Sequence, residues 1–255
     1  MVERLGLISA GPVSRNFVWR IPALAERLGP VMSTAPALAT RLVNAMRAGR
    51  AVESHEAFAK TPVILLCAPD ALVEKLVADT AAAPVNWRLK TFLLCAGALD
   101  SSELEPLRAQ GAWIGSLGPL DGLDDLGLFV EGDKAAVLEA RRLMRHSRIR
   151  VHELRGPKAQ CLAGVSFSSS LLLPFLGASV RCLRGAGLNN GIADLVAQRA
   201  FQKTVRAFLQ RGKKSAVTSE DRTALDRQLE KLRQIDPELA CWFAQALAML
   251  KTGGE

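Results

Sequence analysis

Tyrosine is absent from this chain of 255 residues, and histidine occurs three times, at positions 55, 146 and 152. No aromatic residue falls within the basic runs 141-RRLMRHSRIR-150 and 211-RGKK-214. The net charge is +8 and the isoelectric point is near 9.6. A balance of that kind suits nucleic acid, acidic lipid or phosphate-bearing ligands. With no DNA- or RNA-reading motif alongside it, the charge argues against nucleic acid as the main partner, and the basic runs read as solvated faces. Cysteine is sparse and scattered: Cys67, Cys95, Cys161, Cys182 and Cys241 are odd in number and form no C-x-x-C. That pattern excludes a disulfide framework and a zinc site and leads us to expect a reducing cytoplasm. The start, MVERLGLIS, carries charges at positions 3 and 4 ahead of a short apolar run, so no signal peptide is expected.

Charge is missing altogether from Ala159 to Val180, 22 positions, which is long enough for a membrane-spanning helix. The same stretch holds Gln160, Ser166, Ser168, Ser169, Ser170, Pro174 and Ser179 and lacks interfacial aromatic anchors. It is therefore expected to be a helix buried in a core or a subunit interface, not in a bilayer. Pro174 predicts a kink or an unserved carbonyl within it.

Half of the residues (49%) are hydrophobic and 23% are charged, a globular composition large enough for one or two domains. Up to about residue 155, apolar runs alternate with helical periodicity. Strands are expected at Leu5–Ser9, Val31–Ser33, Val63–Ala68, Lys90–Cys95, Ala112–Leu117, Gly127–Glu131 and Ile149–Leu154. Most are apolar throughout, as strands covered on both faces must be. Helices are expected near 13–28, 35–48, 70–82, 102–110 and 133–146. Asp70, Ser101 and Asp133 serve as start signals, and Gly29 and Gly111 as terminal caps. The alternation implies a doubly wound, mainly parallel sheet. After Gly156-Pro157 the strand signals stop, and four helices are expected, at about 158–186, 190–211, 219–234 and 237–251. Asp236-Pro237 reads as a cap followed by a first-turn proline. The chain thus divides into 1–155, an α/β domain, and 156–255, an all-helical domain.

The turn after the first strand reads Ser9-Ala10-Gly11-Pro12-Val13-Ser14. In a dinucleotide-binding turn the second of three glycines lets the backbone approach the pyrophosphate, and Gly11 is the one retained. Ser9 and Ser14 replace the others with small residues, and a serine hydroxyl can donate to a phosphate oxygen; Pro12 removes one amide donor. The second strand ends in Ser33-Thr34 with no acid to bind ribose hydroxyls. With Arg41 nearby, that end suits a 2′-phosphate, so NADP is favoured over NAD.

Four segments together, 7-LISAGPVS-14, 63-VILLCAPDALVEKL-76, 92-FLLCAGALDSSELEPLRAQGAWIGSLGPL-120 and 157-PKAQCLAG-164, resemble a group of Rossmann-like proteins with a C-terminal helical domain. These belong to the 6-phosphogluconate-dehydrogenase-like superfamily, near pyrroline-carboxylate reductase. The resemblance covers nearly the whole chain in order and spacing, with degenerate motifs. It implies that Ala68-Pro69-Asp70 passes beside a nicotinamide, and that Leu94-Cys95-Ala96-Gly97 replaces a His-x-Ser-Gly turn, keeping Gly97. Gly118-Pro119 stands where His-Pro occurs, and Ala159-Gln160 and Ser168 where a Tyr-His pair and an asparagine occur. Cys95 would face the cofactor, and Ser116, Gln160 and Ser168 the substrate. The three histidines fall outside the expected cleft, so Lys158, at the domain junction, is the remaining candidate acid. Ser166, Ser168, Ser169 and Ser170 follow no strand and form no nucleophile elbow.

Two functions follow as expectations. One is an NADP-dependent reductase of a small carbonyl or imine, with no metal. The other is a non-catalytic nucleotide- or partner-binding protein on the same scaffold, favoured by the lost polar groups. A homodimer through the helical domain is expected, each cleft bordered by both chains.

Overall fold

The structure, a computed structural model, describes residues 5–10, 21–120, 124–145, 147–211 and 219–252. Eight strands form one sheet: β1 Leu5–Ser9, β2 Leu28–Ser33, β3 Arg50–Ala51, β4 Val63–Cys67, β5 Thr91–Leu94, β6 Trp113–Gly118, β7 Leu128–Gly132 and β8 Val151–Glu153. Their order is β3-β2-β1-β4-β5-β6-β7-β8. From β3 to β6 all neighbours are parallel; β7 turns antiparallel against β6, and β8 follows β7 in parallel. The first six strands have the doubly wound 3-2-1-4-5-6 order, whose switch point lies between β1 and β4. Helices of this unit are α1 Pro22–Ala25, α2 Pro36–Met46, α3 Asp70–Ala81, α4 Glu105–Arg108, α5 Lys134–Met144 and α6 Lys158–Phe167.

Each central strand is buried on both faces, and residues alternate between two cores. Leu5, Leu7, Val31, Leu65, Leu93 and Leu117 pack with α2 and α5. Ile8, Ile64, Leu66, Phe92, Leu94 and Ile114 pack with α3, Leu104 and Leu107 on the other face. At about 25 cal/mol per Å² of apolar surface, this two-sided burial is the main source of stability. Gly132, at φ +121°, lets β7 approach β6 closely: a Cβ there would lie 2.5 Å from the Gly115 Cα and the Ile114 carbonyl.

The chain divides into two compact units, 1–166 and 167–255. The unit boundary falls at Phe167, the last residue of α6, past the 155/156 junction read from the strand signals, and Lys158 ties the start of α6 to the loop after β5. The second unit contains α7 Leu173–Gly185, α8 Asn190–Arg211, α9 Ser219–Ile235 and α10 Pro237–Thr252. Leu229, Ala240 and Leu247 form the core between α9 and α10, and Asp236 caps α10 by accepting from the Leu239 amide at 3.1 Å. Arg181 of α7 joins them through Asp236 at 2.6 Å and Glu238 at 3.0 Å.

Several expectations are corrected. Gly29 lies inside β2 and is not a helix cap, since β2 begins at Leu28; the helix expected over 13–28 is confined to 22–25 within the described residues. The helix expected over 158–186 is broken. Ser168 and Ser169 leave helical geometry, Ser169 at φ −133° and ψ −96°, and a short 3-10 turn covers Ser170–Leu172. Pro174 then stands in the first turn of α7, where its missing N–H costs nothing. Residues 158–185 are apolar enough and, taken together, long enough to cross a membrane. However, α6 and α7 have 10 and 13 residues, so each spans only about 15–20 Å against a hydrocarbon core of about 30 Å. Of the two settings expected for it, a core or a subunit interface, the core within this chain does not bury it: Phe167 and Leu173 are each 65% exposed.

Candidate functional site

The carboxyl ends of β1, β2 and β4 meet at the switch point. The Ala10 amide donates to the Cys67 carbonyl at 3.0 Å, and the Thr34 amide to the Ser9 carbonyl at 3.1 Å. Ser9 is fully buried, and its hydroxyl donates to the Met32 carbonyl at 3.3 Å, so its hydrogen is engaged within the sheet. Gly11, Pro12, Val13 and Ser14 lie outside the described residues. Ser33 ends β2 at 8% exposure, and its hydroxyl has no hydrogen-bond partner among the described residues. Leaving a buried hydroxyl unpaired costs about 1–3 kcal/mol, so Ser33 joins Ser116 as a buried hydroxyl still in need of a partner. Thr34 and Arg41 are exposed just beyond it. Ala68 is buried, and Pro69 occupies the cap position of α3.

Asp70, read from the sequence as a helix cap, does something different. Its carboxylate accepts from the amides of Gly97 and Ala98, both at 3.0 Å, across to the loop that follows β5. Glu131 of β7 holds the far end of that loop, accepting from the Ser101 amide at 2.8 Å and the Ser101 hydroxyl at 2.7 Å. Asp100 caps the 3-10 turn Ser101–Leu104 by accepting from the Ser102 amide at 3.0 Å. Asp133 likewise makes no cap bond; it accepts from the Ile114 amide at 2.9 Å and pairs with Arg108 at 2.7 Å.

Lys158 reaches the same loop from α6. Its side chain is 2% exposed, and Nζ donates to the carbonyls of Ala96 at 2.8 Å and Leu99 at 3.1 Å. Burial lowers its pKa from the usual lysine value, while Cys95, Glu131, Asp70 and Asp100 pull it back up. Cys95 points into the core shared by Leu93 and Leu117. Burial pushes its thiol well above the usual range, hydrogen bonding with Cys67 adds to this, and Lys158 opposes it. A thiol held neutral in this way is neither a nucleophile nor a proton donor near neutral pH.

The remaining candidates are dispersed. Ser116 is 1% exposed in β6 with a hydroxyl that finds no partner among the described residues. Gln160 is exposed at the third position of α6, within its first turn, and Ser168, also exposed, belongs to the second unit. His55 sits in a 3-10 turn ahead of β4, against the edge of Trp87. His152 lies on the edge strand β8, stacked on Phe129 and bonded to the Leu126 carbonyl at 3.0 Å. Neither reaches the carboxyl edge near Lys158, and His146 lies outside the described residues. No cluster of metal-ligating side chains occurs among the described residues. Sequence reading missed Asp70 and Glu131 as loop ligands. A carboxylate directly after Pro69, two residues past the end of β4, was the available signal for Asp70.

No family model matches this chain, and no curated protein sequence does. Solved structures do match over nearly the full length. An imine reductase variant from Myxococcus stipitatus in complex with NAD+ shares 14% identity at a TM-score of 0.68, over 97% of this chain and 94% of that one. A reductive aminase from Aspergillus terreus in complex with NADPH and ethyl levulinate shares 15% at 0.63, over 99% and 93%. A pyrroline-5-carboxylate reductase from Coxiella burnetii shares 13% at 0.51, over 97% and 98%. The chain therefore shares the fold of these structures, a Rossmann-type sheet followed by a helical region, as the resemblance implied.

Proposed function

We propose that the chain is a nicotinamide-nucleotide-dependent oxidoreductase that reduces a small carbonyl or imine, with NADP as its cofactor. The observation that carries this reading is the buried Ser33 hydroxyl at the switch-point edge, unpartnered among the described residues, with Thr34 exposed next to it, Arg41 exposed on the following helix and no carboxylate at the end of β2. A ribose bearing a 2′-phosphate supplies the acceptor that Ser33 lacks and the anion that Arg41 can pair, whereas an unmodified ribose calls for an acid. Bound there, the nucleotide supplies the hydride. Ser9 and Ala10 set the position of the loop start through their bonds to β2 and β4. Ala68 and Pro69 offer an apolar floor, and Gly97 keeps the following loop free of side chain. Gly11 is the residue for close pyrophosphate approach.

A second reading, a nucleotide-binding protein without turnover, is favoured by a specific feature. Leu94 and Ala96 are buried and apolar where a proton donor would stand, and the Cys95 thiol is held neutral. Titration of NADPH and NADH, followed by a panel of small carbonyl and cyclic imine substrates, separates the two. Saturable binding with substrate-dependent NADPH oxidation supports the reductase, binding without oxidation supports the second reading, and absence of binding removes both.

The proposal includes a homodimer in a reducing cytoplasm. Phe167, Leu173 and Phe175 are large apolar side chains left exposed within the chain, of the kind a second copy would cover, and all five cysteines are free thiols. Nucleic acid and membrane partners are not part of it.

A further inference from the structure

Lys158 is placed against two physical costs. It stands at the first position of α6, where the helix dipole disfavours a cation, and burial removes its water. A side chain kept there must be compensated, and its compensation comes from one short loop: the carbonyls of Ala96 and Leu99. The amides of the two residues between them, Gly97 and Ala98, are taken by Asp70. The loop's backbone groups are thus sorted, carbonyls to the cation and amides to the anion. Glu131 and Asp100 then fix Ser101 and Ser102 at the loop's exit.

We propose that Asp70 and Lys158 act as a two-sided clamp that sets the conformation of the 96–99 loop, making Lys158 a positioning residue and not the acid of the site. Two of its three ammonium hydrogens are committed to carbonyls, and the charge is spent in holding backbone. The clamp is a property of the first unit alone. Its consequence for nucleotide binding rests on the function proposed above, in which this loop borders the nicotinamide.

The fold supplies its own control. Lys90, also buried, donates to three carbonyls, those of Phe58 at 3.1 Å, Ala59 at 2.6 Å and Thr61 at 3.0 Å, at the opposite, amino edge of the sheet. Lys158→Met and Lys90→Met therefore remove the same kind of interaction at opposite ends. Thermal unfolding, NADPH titration by fluorescence, and amide exchange at Gly97 and Ala98 would be measured on both and on Asp70→Asn. Lys158→Met and Asp70→Asn are expected to raise the NADPH dissociation constant about tenfold and to speed exchange at Gly97 and Ala98 by at least tenfold. Lys90→Met is expected to lower the melting temperature while leaving both readouts within about twofold of wild type. Unchanged exchange at Gly97 and Ala98 in Lys158→Met, or an equal loss of affinity in Lys90→Met, overturns the clamp. Should the wild type bind no NADPH, the functional reading fails and the exchange result still decides the clamp. Should Lys158→Met fail to fold, Asp70→Asn, altered at an exposed residue, decides it.

Discussion

The ammonium of Lys158 lies 2.8 Å from the carbonyl oxygen of Ala96, a residue 62 positions earlier in the chain. With the bond from the same ammonium to the Leu99 carbonyl, it joins the first turn of α6 to the loop after β5 within the first compact unit. Lys90 and Lys158 both have pKa values lowered by burial. The unfolded chain binds their protons more tightly, so stability should rise with pH from each folded pKa up to the ordinary lysine value. Lys158→Met should flatten part of that alkaline rise, read as melting temperature against pH between 8 and 10.5; an unaltered slope would show that the folded lysine is not perturbed.

His55 makes the opposite edge sensitive to acid. Burial lowers its pKa, with Asp79 acting weakly in the other direction, and its Nε2 has no partner among the described residues. The folded state therefore prefers the neutral ring. Its contribution is fully present above the unfolded histidine value, about 6.5, and is lost as pH falls through the lower folded value. His55→Gln should reduce the fall in melting temperature between pH 7.5 and 5. A variant with the same acid sensitivity as wild type would remove this assignment.

How much of this was open to sequence reading depends on the range of the interaction. Both-face burial writes itself into local composition, so β1, β4, β5 and β6 stand out as apolar runs. β3 does not, because Arg50 and Ala51 are a two-residue exposed edge with no apolar pattern. The break before α7 was also hidden: Pro174 suggests interference inside one helix, whereas the serines ahead of it end the first helix, leaving the proline in a permitted first-turn position. Of the site, Ser9, Ser33 and Thr34 follow from strand ends, which are local. Asp70, Glu131 and Lys158 meet only because β4, β5 and β7 occupy particular places in the sheet order, and no spacing along the chain encodes that.

Backbone crowding between β6 and β7 gives a stability test independent of function. Gly132→Ala forces a positive φ on alanine and sets its Cβ 2.5 Å from Gly115 and Ile114. A loss of about 2–4 kcal/mol is expected, measured by urea unfolding. A loss below about 1 kcal/mol would mean that the strands separate at little cost.

The exposed apolar surface of the second unit leads to a prediction about assembly. Wild-type protein should sediment as a dimer at micromolar concentration, and Phe175→Glu, which charges a 48% exposed aromatic on α7, should shift it to monomer. A wild-type monomer would contradict the proposed partner.

Selectivity between coenzymes depends on Ser33. Ser33→Asp puts a carboxylate where a 2′-phosphate is proposed to lie, and should weaken NADPH about a hundredfold while NADH stays within about threefold of its wild-type affinity. Equal effects on the two coenzymes would detach Ser33 from that subsite.

The most direct measurement is a calorimetric titration of the wild-type protein with NADPH, with Gly11→Val as the comparison. The proposed function requires saturable binding with a dissociation constant of about micromolar order, tighter than for NADH, and its loss in a Gly11→Val protein that melts at the wild-type temperature. No saturation with NADPH up to about millimolar concentration, or undiminished binding in Gly11→Val, would contradict it.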